Sequence, residues 1–107
     1  MDDQTAQKKI AALRVRIDAI DARLVKDLNR RSKVSKEIGK LKSATDSPIL
    51  CPSREAALLD KVCGLSDGDL PPEHLIAIYR EILNSSRALQ DKARLFSEFG
   101  NGDGSCV

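Results

Sequence analysis

From Ile10 onward the apolar residues fall at Ile10, Leu13, Ile17, Ile20, Leu24 and Leu28, then at Val34, Ile38 and Leu41, nearly always three or four positions apart. That spacing lines them along one face of a helix, with charged and polar residues filling the positions between. Only Gly39 interrupts the run with a glycine or proline. The pattern predicts one helix from about Thr5 to Lys42, roughly 57 Å long at 1.5 Å per residue. A compact protomer of this length has a radius of gyration of about 13 Å. Such a helix projects beyond its own domain with its stripe uncovered, and a second copy of the chain is the simplest cover. A homodimer in which the long helices pair is therefore expected, with a break at Gly39 as the alternative.

Residues 43–48, SATDSP, read as a loop, and Pro48 and Pro52 end helical continuation. Pro52 suits the first position of a second helix, because its φ is already helical and its missing N–H would have no partner there. This helix is expected to end at Cys63 or Gly64, with Gly64 as the residue just past the end. After GLSDGDLPP, a third helix starts at Pro71 or Pro72 and carries Leu75, Ile76, Ile78, Tyr79, Ile82, Leu83 and Leu89 to about Glu98. No segment alternates with the period of a strand. The fold class is all-α, three helices per protomer in the order long, short, long, over residues 1–98, with residues 99–107 expected to be a disordered tail.

Composition agrees with helices packed on helices: 107 residues, 32% charged, 3% aromatic and no tryptophan leave an aliphatic core for one domain. The net charge of +2 is too small to argue for nucleic acid. Its distribution is uneven, since residues 1–47 carry 12 Lys/Arg against 7 Asp/Glu and residues 48–107 carry 6 against 9. A solvated helix face or an anionic ligand would each account for that excess. Three cysteines without C-x-x-C spacing and a single histidine, His74, support neither a disulfide framework nor a metal site. The opening MDDQTAQKK has no apolar h-region and no run approaches a membrane span, so a cytoplasmic protein is expected.

The polar residues add chemistry. In CPSREAALLDKV, residues 51–62, Glu55 suits the positive end of a helix whereas Arg54 opposes it, so Arg54 asks for another reason. Arg14 and Arg31 stand about 25 Å apart along a helix and about 100° apart around it, too far to grip one small molecule within one chain. Between antiparallel helices of a dimer they could meet. Lys42 lies on the same face as Arg31, some 16 Å further along. Ser86 and Gln90, at i and i+4, either face solvent or share a polar pocket with Arg31, Lys42, Arg54 and Glu55.

This constellation resembles the all-helical class of chorismate mutases, over IAALRVRIDAIDARLVKDLNRRSKVSKEIGKLK, PILCPSRE and IYREILNSSRALQ, about residues 7–92. It is particularly similar to the N-terminal mutase domains of bifunctional chorismate mutase/prephenate dehydratase proteins. The resemblance implies an intertwined homodimer with two equivalent sites, each taking Arg14 from the partner chain and Arg31 from its own, to grip the substrate carboxylates. It implies that Lys42 and Gln90 donate to the ether oxygen, that Arg54 and Ser86 support a carboxylate, and that Glu55 accepts a hydrogen bond from the ring hydroxyl. Some members have an acidic residue where this chain has Cys51, to which no role is assigned.

The implied reaction suits these residue types. Conversion of chorismate to prephenate is an intramolecular Claisen rearrangement that needs no nucleophile, proton transfer or cofactor, so catalysis reduces to holding a flexible dianion in its reactive conformation. Guanidinium groups match carboxylates with paired donors and stay charged. The isochorismate pyruvate lyases are the nearest rival. They resemble the chain at Arg14, Arg31, Lys42, Arg54 and Gln90, but typically have an apolar residue after the arginine and a bulkier one at the position of Ser86. A non-catalytic helical dimerisation or regulatory module is the other reading, and it has no use for Glu55, Ser86 and Gln90 together.

Overall fold

The computed structural model describes residues 2–95, and the expectations for Phe96 to Val107, including the tail, lie outside the described residues. The described residues form three helices, α1 (Asp3–Thr45), α2 (Pro52–Leu65) and α3 (Pro72–Leu95), and contain no strand. The order long, short, long is as the periodicity predicts. Helix α1 runs through Gly39 without a break. It also begins earlier than Thr5, because the Asp2 carboxylate accepts the Thr5 backbone N–H at 2.7 Å and so caps one of the donors left open in the first turn.

The far end of α1 corrects the expected boundary at Lys42. The helix continues to Thr45, and Asp46 takes a left-handed conformation at φ 55°. The Ser47 N–H then reaches the Lys42 carbonyl at 2.9 Å and the Asp46 N–H reaches the Ser43 carbonyl at 3.3 Å, the paired closure of a Schellman motif. Aspartate tolerates this backbone region better than most residues. Helix α2 starts at Pro52 as expected, with the Glu55 N–H bonded to the Cys51 carbonyl at 3.0 Å. Its end differs: Gly64 lies inside the helix, and Ser66, in extended conformation at φ −78°, donates its N–H to the Cys63 carbonyl. A tighter last turn closes this helix without a left-handed residue, so glycine was not needed for that purpose.

The chain divides into two compact units, residues 1–31 and 32–107. The first is a bare length of α1 whose apolar stripe is open: Leu13 is 51% exposed, Ile17 55%, Ile20 52% and Leu24 53%. The second contains the rest of α1 with α2 and α3, and holds the buried hydrophobic residues Cys51, Val62, Leu83 and Ala93. It also buries Ser35, Lys42, Ser43, Ser47, Ser86 and Gln90. Polar groups in such positions cost free energy unless they find partners or serve a ligand.

Candidate active site

Within the second unit, the last turns of α1 run alongside α3 in the same direction. Ser35 Oγ meets Ser86 Oγ at 3.2 Å, and four residues further along both helices Gly39 faces Gln90. A Cβ on Gly39 would lie 2.7 Å from Gln90 Cα and 3.0 Å from its carbonyl oxygen. Only glycine permits this approach, which is why the residue that reads as a possible break sits in an unbroken helix.

The close approach brings Lys42 to Gln90. The Lys42 ammonium, on a residue only 4% exposed, donates to Gln90 Oε1 at 3.0 Å and to the Ile49 carbonyl at 3.2 Å. The Schellman turn after Thr45 folds Ile49 back over the end of α1, so the same local closure ends the helix and fixes its lysine. With Oε1 taken by the ammonium, Gln90 aims its amide N–H donors elsewhere, and these make no hydrogen bond among the described residues. Two adjacent donors, from the lysine and the glutamine amide, are thus held nearly dry. Such an arrangement stabilises negative charge that develops on a bound oxygen.

Helix α2 lies antiparallel to α3 and supplies Glu55, which pairs with the Arg87 guanidinium; both side chains are about a quarter exposed. Arg87 also bonds Asn84 Oδ1 on its own helix. Glu55, Leu59, Arg80, Leu83, Asn84 and Arg87 line an open cleft of about 270 Å³ between these two helices.

Of the residues singled out in the sequence, the structure joins Lys42 with Gln90, sets Ser86 one turn before Gln90 against Ser35, and sets Glu55 against Arg87. It leaves Arg54 exposed, one position before Glu55 and so turned away from it around α2. Arg14 is exposed and Arg31 half-buried, both in the first unit. Sequence reasoning missed Ser35, the Ile49 carbonyl, Asn84 and Arg87. Ser35 and Ser86 are both small and polar, but nothing in either helix's periodicity pairs them. Arg87 directly follows Ser86, and only the antiparallel course of α2 reveals its partner. No group of His, Cys, Asp or Glu that could hold a metal ion occurs among the described residues.

The comparison with known proteins decides the family. The sequence profile described as "Chorismate mutase type II" matches residues 13–91. The chain belongs to this family. It is 36% identical over 92 residues to the bifunctional chorismate mutase/prephenate dehydratase of Aquifex aeolicus, covering 82% of this chain and 25% of that protein. It is 29% identical over 84 residues to the chorismate mutase of Methanocaldococcus jannaschii, covering 78% of this chain and 85% of that one. The chain spans about a quarter of the length of the bifunctional relatives and most of the shorter mutase. Among solved structures it is similar to the chorismate mutase of Helicobacter pylori in complex with prephenate. The TM-score is 0.77 at 31% identity, and the match covers 85% of this chain and 99% of the other. The three-helix fold of this chain is therefore that of a type II chorismate mutase, an isomerase family.

Proposed function

We propose that this protein is a chorismate mutase, converting chorismate to prephenate by restraining the substrate and stabilising its polarised transition state. The observation that carries the reading is the buried pairing of the Lys42 ammonium with Gln90 Oε1, which leaves the glutamine amide to donate beside it. As the ether C–O bond breaks and the new C–C bond forms, negative charge grows on the ether oxygen. Both donors are in place before that moment, so no reorganisation is needed when the charge develops. Ser86, beside Gln90, and Arg54, at the start of α2, support a carboxylate in this reading, and Glu55 accepts the ring hydroxyl.

Two arginines complete the site through a homodimer. Arg31 grips a carboxylate in its own chain and Arg14 reaches the partner's site. The uncovered stripe from Leu13 to Leu24 supports this assembly, because a soluble chain rarely leaves so long an apolar face open. A place in aromatic amino-acid biosynthesis, in the cytoplasm, belongs to the same reading. No helix among the described residues is long and apolar enough to cross a membrane.

The test is Lys42→Ala and Gln90→Ala, each assayed for prephenate formation with circular dichroism as the fold control. Loss of a preorganised donor should lower kcat roughly 100- to 1,000-fold while helicity persists. Full activity in Lys42→Ala would overturn its assignment to the ether oxygen.

A further inference from the structure

Glu55 and Arg87 are separated by 32 positions and come from different helices, yet they form a direct ion pair. The contact is specific in its atoms: Arg87 Nη1 engages Glu55 Oε2, while Arg87 Nη2 engages Asn84 Oδ1. The guanidinium is therefore held at two corners, once by its own helix and once by α2. Glu55 Oε1 makes no hydrogen bond among the described residues. One carboxylate oxygen is tethered and the other is left as an acceptor.

We infer that Arg87 is a positioning residue that aims Glu55 at the substrate's ring hydroxyl and thereby sets the preference for a hydroxyl-bearing substrate. The inference rests on the mutase reading above and deepens it. A glutamate side chain has three rotatable bonds and loses considerable freedom when fixed. Free at the mouth of an open cleft, its carboxylate would spread over several rotamers and over water. Tethered through Oε2, it presents Oε1 in one direction. Arginine suits the task better than lysine, because its fork binds Asn84 and Glu55 at once. Arg80, lining the same cleft, adds positive charge nearby but makes neither contact.

The test compares chorismate with an analogue lacking only the ring hydroxyl, using the ratio of their kcat/KM values. In the wild type the ratio favours chorismate. Arg87→Met should lower that ratio roughly ten- to a hundredfold, the scale expected when a contact group is misaimed by about an ångström. The loss should fall on chorismate and spare the analogue, and Arg87→Lys should restore part of the preference. If Arg87→Met does not fold, Glu55→Gln takes its place. That change should lower the ratio, and adding Arg87→Lys to it should have no further effect. Equal loss on both compounds would overturn the inference, since Arg87 would then grip a group the two share. An unchanged ratio would overturn it as well. A wild-type protein inert toward both compounds would instead remove the mutase reading, and this role with it.

Discussion

Gly39 is where the packing of the site is most exposed to a single substitution. In an ordinary helix, Gly→Ala gains up to about 1 kcal/mol. Here the added Cβ would lie 2.7 Å from a backbone atom of α3, which cannot move aside as a flexible side chain can. Overpacking of this kind costs about 1–3 kcal/mol, so the clash outweighs the propensity. Gly39→Ala should lower the denaturation midpoint, and it should depress activity further by separating Lys42 from Gln90. A more stable Gly39→Ala protein would show that the helices are not in contact there. Lys42→Met removes a desolvated charge but leaves Gln90 Oε1 and the Ile49 carbonyl without their donor, so it should lower the denaturation midpoint, by about 1–3 kcal/mol of stability, while turnover is lost. Ser86 and Gln90 were legible as residues on one face of a helix. Their burial, at 7% and 8% exposure, was not, because solvent and a polar pocket make the same demand on sequence. Gly39 was ambiguous for a related reason: a helix break and a close helix crossing both ask for a missing side chain.

The three helices follow from apolar spacing and from two prolines at helix starts, and each is present where that pattern puts it. Their ends were harder to read, since a cap depends on one or two backbone angles that leave little trace in composition. Asp46 accepts a left-handed φ without being glycine, and Gly64 is present without using one. At the opposite end of α1, the backbone hydrogen bond from Thr5, with a further contribution from its side chain, holds the Asp2 carboxyl below its ordinary value. The sign of its effect follows: the cap is complete above the ordinary carboxylate range and is lost as pH falls through the depressed folded value. The Thr5 amide signal should therefore titrate with Asp2 in acid, and the first turn of α1 should fray there. A Thr5 amide insensitive to that protonation would contradict the cap.

At the scale of the whole molecule, the sequence periodicity carries one statement that a single protomer does not satisfy: the stripe on α1 is complete, yet open from Ile10 to Leu28. If a second copy covers it, Leu24→Asp should halve the sedimenting mass and abolish turnover, because Arg14 could no longer reach a partner's site. A monomeric, active variant would contradict the shared site. The long stripe was legible because every turn repeats it. The contacts of Arg87 and Ser35 were not, since each depends on which helices become neighbours. The claim on which all of this rests is tested most directly by incubating the purified protein with chorismate, and separately with isochorismate, and identifying the products. The account predicts prephenate from chorismate and little pyruvate from isochorismate. Pyruvate release from isochorismate without prephenate formation, or inertness toward both, would contradict it.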